Sequence, residues 1–162
     1  LESADAIVKW AHPKTLHLTL KFLGDVPEEK IEQIRDKLED AVQSIPSFSI
    51  VLGEAGVFPD WNRPRVVWLG IDEGSEEVKA LAGEIEKAML DEGFEAEKRE
   101  FSPHLTVGRI RGGKNLAGLK EAARSVTVQP VNMRVHQVVL FSSELTQEGA
   151  VHTPINAFHL GG

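Results

Sequence analysis

His17-Leu18-Thr19-Leu20 returns 87 residues later as His104-Leu105-Thr106-Val107. Each copy alternates polar and apolar residues. On a β-strand successive side chains point to opposite faces, so each copy sends an apolar pair into a core and keeps its His and Thr together on the other face. Two such strands looking onto one cleft supply two imidazoles and two hydroxyls. This constrains the chain more than any other feature, because both copies need a half-buried strand.

The remaining pattern fits alternating strands and helices. Strands are expected at 7–11 and 16–23, divided by His12-Pro13-Lys14. Asp25 reads as a helix N-cap, with Pro27, Glu28 and Glu29 in the first turn. Ile31, Ile34, Leu38, Ala41, Val42 and Ile45 form an apolar stripe at helical spacing. Pro46 stops that helix. Phe48 to Leu52 alternates as a strand, Gly53 to Pro64 reads as a loop, and Arg65 to Ile71 is a β run. A second helix is expected from Ser75, with Val78, Leu81, Ala82, Ile85, Ala88 and Met89 on one face and Gly93 as its terminator. The second motif strand follows at 103–110, then a shorter helix near Leu116–Ala123 and strands at 125–129, 131–141 and 155–160. Motif strand, helix and strand occur in both halves, which suggests pseudo-symmetry.

The 162 residues suit one domain, with room for two small lobes around a cleft. No cysteine is present, which excludes disulfides, thiolate metal sites and a cysteine nucleophile, and agrees with a reducing cytoplasm. No apolar run has the length of a membrane span, so no membrane partner is expected. The net charge of −7 argues against bulk, non-specific nucleic-acid binding. Yet between Lys98 and Arg124 seven basic residues (Lys98, Arg99, Arg109, Arg111, Lys114, Lys120, Arg124) face only Glu100 and Glu121. Such a region beside the second motif can attract a phosphate, although charge counting by itself favours a solvated face.

Imidazole is the side chain best matched to proton transfer near neutral pH. In-line displacement at a phosphodiester needs a base for the nucleophile and an acid for the leaving oxygen. Thr hydroxyls and an arginine can hold the non-bridging oxygens, and Arg109 lies three residues beyond Thr106. No metal is required. A zinc site is a weaker rival, since neither His-x-His nor His-Glu-x-x-His occurs. A serine hydrolase is weaker still without a Gly-x-Ser-x-Gly elbow. A lone His on a strand is usually structural, and the doubling is what lifts this pair above that expectation.

His17-Leu-Thr-Leu-Lys-Phe-Leu-Gly24 and Pro103-His-Leu-Thr-Val-Gly-Arg109 resemble the paired motifs of the two-histidine phosphoesterase superfamily. More narrowly, the chain resembles the bacterial and archaeal RNA 2′,3′-cyclic phosphodiesterases, also known as 2′-5′ RNA ligases. Gly56-Val-Phe-Pro59, Pro64-Arg-Val-Val-Trp-Leu-Gly-Ile71 and Val139-Leu-Phe-Ser-Ser-Glu144, followed by Gly149 and Thr153, extend the likeness over nearly the whole chain. The resemblance implies a bilobal α+β fold, with two antiparallel sheets flanking a central cleft, helices on the outer faces and a pseudo-two-fold. It implies metal-independent, cofactor-free hydrolysis of a 2′,3′-cyclic phosphate, on RNA ends or nucleotides, to a 2′-phosphate. By position His17 matches the donor to the leaving 3′-oxygen and His104 the acceptor that activates water. Thr19, Thr106 and Arg109 match the groups that hold the phosphate.

Phe22 and Phe58 are expected mostly as core, with a place in the cleft wall as the alternative. His152 replaces an aromatic residue usual before the Thr153 position and is expected at the surface or the cleft rim. His12, His136 and His159 are expected to be structural or on the surface. Residues 1–162 are expected to form one two-lobed domain and a monomer. Family members open with a strand and a long helix before the first motif, and sixteen residues do not hold both. Either the chain is truncated or an edge strand is absent. Two other functions stay open: reversible 2′-5′ ligation of RNA, and nucleotide binding without turnover.

Overall fold

The structure, a computed structural model, describes residues 7–112, 115–125, 131–146 and 149–162. The described chain is α+β with two antiparallel sheets. The strands are β1 (Val8–Trp10), β2 (Phe48–Phe58), β3 (Val66–Glu73), β4 (His104–Ile110), β5 (Asn132–Val135), β6 (Gln137–Thr146) and β7 (Gly149–His159). The helices are α1 (Ile31–Gln43), α2 (Ser75–Asp91) and α3 (Leu116–Ser125). One sheet has the order β1-β4-β3-β2-β5, and the other is the β6–β7 ribbon. No helix among the described residues is long and apolar enough to cross a membrane.

The chain divides into two compact units. The first holds residues 1–20, 49–75 and 102–133. One face of its sheet packs on α3: Val57, Val67 and Leu119 are buried, with Val8, Trp10, Trp61, Val107, Ile110 and Ala122 against them. Val67 and Leu119 are both fully inaccessible, and burying an aliphatic side chain of that size contributes about 1.5–3 kcal/mol. Covering one face this way leaves the other for polar residues.

The second unit holds residues 21–48, 76–101 and 134–162. The stripe expected on α1 is present, with Ile34, Leu38 and Val42 buried. On α2, Val78, Leu81, Ala82, Ile85 and Met89 are buried. Gly93 ends α2 with φ +83°, where its N–H donates to the Leu90 carbonyl and the Phe94 N–H to the Met89 carbonyl. That pair of bonds satisfies two carbonyls of the last turn, and the left-handed φ is why glycine stands there.

Several expectations change. The segment 16–23 is not a continuous strand: it joins the sheet only where Leu18 bridges Leu105. The N-cap expected at Asp25 is replaced by a 3-10 turn over Glu28–Lys30 leading into α1. Residues 53–58, expected in a loop, continue β2. Glycine looks loop-like in sequence, but Gly53 and Gly56 here leave room for the Asp72 and Trp68 side chains of β3. The strand expected at 131–141 is divided at His136 into β5 and β6, and β7 begins at Gly149, ahead of the expected 155. Apart from Ser125, which ends α3, the strand expected at 125–129 falls outside the described residues.

Candidate active site

All five residues expected at the site lie in the first unit. The pairing of β4 explains how they meet. On one edge β4 carries β3; on the other it carries β1 and then the first motif. Trp10 is opposite Gly108, whereas Leu18 is opposite Leu105. Eight residues thus advance along one side against three along the other. The excess of five is looped out around the 3-10 turn at Pro13–Thr15, where His12 accepts a hydrogen bond from the Lys14 N–H at Nδ1. His12 is therefore structural, as expected.

Opposite residues in an antiparallel pair share a face. Leu18 opposite the buried Leu105 sends that pair toward the core. The same register sets His17 across from Thr106 and Thr19 across from His104, all four on the opposite face. Each histidine is thus opposite the threonine of the other motif in the register.

The two histidines are held alike. His17 Nδ1 lies 2.9 Å from the Thr15 carbonyl oxygen, and His104 Nδ1 lies 2.8 Å from the Ser102 carbonyl oxygen. A carbonyl only accepts, so in both rings Nδ1 carries a proton and Nε2 is the nitrogen that exchanges one. An i to i−2 contact of this kind fixes ring orientation as well as tautomer. Their surroundings differ. His17 is exposed, whereas His104 is half-buried with its ring edge-on to Phe58, 4.9 Å between centroids, and near Trp68 at 6.4 Å.

Arg109 reaches the same face through an irregularity. Three residues along a regular strand reverse the face, so Thr106 and Arg109 would point apart. However, Val67 pairs with Gly108 while Trp68 pairs with Thr106, which leaves Val107 as an extra residue on β4. This β-bulge restores Arg109 to the side of Thr106, opposite Val66. Its partner β3 is regular here, and Trp68, two residues from Val66, stacks at a tilt on Phe58 at 5.2 Å. Arg109 is exposed.

Phe58 belongs to this wall and not to the core. Phe22 is 77% exposed, which overturns its expected core placement. Trp68 was missed in the sequence, where it reads as one more apolar residue of a β run. Its indole Nε1–H is buried without a hydrogen-bond partner among the described residues. His152 is exposed and hydrogen-bonded to Ser143, its cross-strand neighbour on β6, at 2.8 Å. His136 stacks on His159 at 6.3 Å. The expected basic region is dispersed: Lys98 and Arg99 fall in the second unit, Lys120 and Arg124 lie on α3, and Lys114 is outside the described residues. Arg109 and Arg111 are the basic residues of that stretch that the motif strand and its extension carry.

Known proteins share this arrangement of the chain. Residues 6–147 match the 2′-5′ RNA ligase superfamily. An RNA 2′,3′-cyclic phosphodiesterase of Methanothermobacter thermautotrophicus is 41% identical over 161 residues, spanning 99% of this chain and 86% of the relative. Another from Aquifex aeolicus is 38% identical, over 95% of this chain and 82% of its own. Among solved structures, TT0787 of Thermus thermophilus superposes with a TM-score of 0.77 at 26% identity, over 96% of this chain and 84% of that one. E. coli LigT complexed with 3′-AMP superposes with a TM-score of 0.70 at 27% identity, over 96% and 82%. With a family match across most of its length and relatives above 30% identity along nearly all of it, the chain belongs to the 2′-5′ RNA ligase superfamily.

Proposed function

We propose that the chain hydrolyses 2′,3′-cyclic phosphate ends of RNA to 2′-phosphates, by acid–base chemistry of His17 and His104 without a metal. The observation that carries this reading is the shared tethering of the two imidazoles. Each is held through Nδ1 by a backbone carbonyl, and both stand on one sheet face opposite the partner motif's threonine. The names of the relatives support the substrate class, and the LigT complex with 3′-AMP supports a nucleotide ligand.

In this mechanism His104 Nε2 takes a proton from water as the water oxygen bonds to phosphorus. The bond from phosphorus to the 3′-oxygen breaks, and His17 Nε2–H gives that oxygen its proton. The products are a 2′-phosphate and a 3′-hydroxyl. Thr19, Thr106 and Arg109 hold the non-bridging oxygens, where charge concentrates in the transition state. The aromatic wall of Phe58 and Trp68 keeps the His104 ring in place.

The test is incubation of a short RNA ending in a 2′,3′-cyclic phosphate with excess EDTA, followed by location of the product phosphate. A 2′-phosphate is the expected product. A 3′-phosphate would overturn the assignment of the leaving oxygen. Turnover only after a divalent metal is added would overturn the metal-independent mechanism.

A further inference from the structure

Lys9 lies directly opposite Arg109 in the β1–β4 pairing. Its neighbours Val8 and Trp10 pack into the core beneath the sheet. Lys9 therefore points to the other face and is exposed, as is Arg109. This is the face of the two histidines. The pairing therefore gathers two cationic side chains at one point of this face. On a chain of net charge −7 a polyanion is attracted only where cations are gathered locally. The bulge at Val107 brings Arg109 beside Lys9 on this face, and Arg111 extends the row by two residues.

We propose that Lys9, together with Arg109, forms a second anion subsite that binds the phosphodiester preceding the terminal cyclic phosphate, so that the site selects oligonucleotides over mononucleotides. The proposal rests on the reading of the site given above. Position supports it. Thr106 and Arg109 lie opposite Trp68 and Val66, which are two residues apart on β3, so the His17–Thr106 and Lys9–Arg109 pairs are separated by about 7 Å at a strand rise of ~3.3 Å per residue. Lysine and arginine side chains are long enough to shorten that gap from their end. Arg109 stands between both phosphates and can serve either. Lys9 is on the far side of Arg109 from β3 and belongs to the second. A positively charged track beside a catalytic pocket is how proteins follow a single strand without reading its bases.

The test is the affinity of wild type and Lys9→Gln for a nucleoside 2′-phosphate and for a tetranucleotide ending in a 2′-phosphate, across a range of salt concentrations. Removing one phosphate contact lowers the slope of log affinity against log salt by about 0.7–1. Lys9→Gln is expected to show that loss with the tetranucleotide, equally for different base sequences, and to bind the mononucleotide as wild type does. Lys9→Arg is expected to restore the tetranucleotide slope. Equal weakening for both ligands, no weakening for either, or a wild type that binds both with the same salt slope would each overturn the subsite. Because binding is measured on products, failure to hydrolyse a cyclic phosphate would overturn the enzymatic reading and leave this result standing on its own. An unchanged thermal transition in Lys9→Gln separates a lost contact from a lost fold.

Discussion

Leu18 lies opposite Leu105, and this single bridge sets the register of both motifs. It crosses them: His17 faces Thr106, and Thr19 faces His104. A phosphate bound between them would meet one imidazole and one hydroxyl from each side. Replacing either histidine by alanine is expected to lower kcat by about 10²–10⁴-fold on an RNA cyclic phosphate, the usual contribution of a general acid or base. The double variant is expected to lose little more than the worse single one, because acid and base act in one step. Full activity in both single variants would end the two-histidine mechanism.

The pH dependence follows from the two protonation states required. The base must be neutral and the acid protonated, so kcat/KM is expected to be bell-shaped, with limbs that belong to the pair. His104→Ala is expected to flatten the acidic limb and His17→Ala the basic limb. Initial rates in constant-ionic-strength buffers would check this. A wild-type profile flat from mildly acidic to mildly basic pH contradicts it.

The bulge at Val107 makes a prediction about stability and activity together. A Cβ at Gly108 would stand 2.8 Å from both Trp10 Cε3 and Val8 Cγ1. Gly108→Ala is therefore expected to cost about 1–3 kcal/mol by overpacking and to lower activity by shifting Arg109. Arg109→Ala, at an exposed position, is expected to leave the urea midpoint unchanged and to reduce kcat/KM by about 10²–10³-fold, as loss of one charge-stabilising donor does elsewhere. If Gly108→Ala unfolds early but the remaining folded enzyme is fully active, the bulge does not aim Arg109.

These contrasts show what a sequence can and cannot disclose about this site. The histidines and threonines are legible because polar–apolar alternation is local, and it survives even where residues 16–23 make one bridge instead of a strand. The helices are legible because Ile34, Leu38 and Val42, or Leu81, Ile85 and Met89, recur at the period of the helix. Arg109 was placed by its nearness along the chain, but alternation alone would have turned it to the wrong face, since a bulge is a relation between two strands. Lys9 and Trp68 were missed for the same reason. They stand beside Arg109 and His104 only across the sheet, and pairing partners are not written in either segment.

Trp68 gives a prediction of its own. A Cβ at Gly56 would collide with the Trp68 indole ring. That ring packs on Phe58, which in turn packs on His104, so it has little freedom to yield. Gly56→Ala is expected to destabilise by about 1–3 kcal/mol and to reduce kcat, because the displaced ring disturbs His104, near it on the same face, and Thr106, directly across from it. Tryptophan fluorescence would report the shift. A normal kcat with a changed spectrum would detach the aromatic wall from catalysis.

In the second unit, Lys21 Nζ donates to Glu86 Oε2 at 2.6 Å and to the Glu95 carbonyl at 3.1 Å, while the Glu97 N–H donates to Glu86 Oε1 at 2.8 Å. The Lys21 side chain is only 5% exposed. Its hydrogen bond is the main reason the Glu86 carboxyl is held below its ordinary 4.5, with partial burial opposing and the Glu97 N–H assisting. A carboxylate lowered on folding stabilises above its unfolded value, and that stabilisation is lost as pH falls through the folded value. Glu86→Gln is thus expected to cost about 1.5–3 kcal/mol at neutral pH, the range for a charged hydrogen bond. The gap to wild type should close as pH drops below about 4.5, where the unfolded carboxyl begins to bind its proton. Urea unfolding of both proteins at pH 7 and at pH 3.5 would show it. A gap of constant size would mean that Glu86 acts through packing and not through its charge.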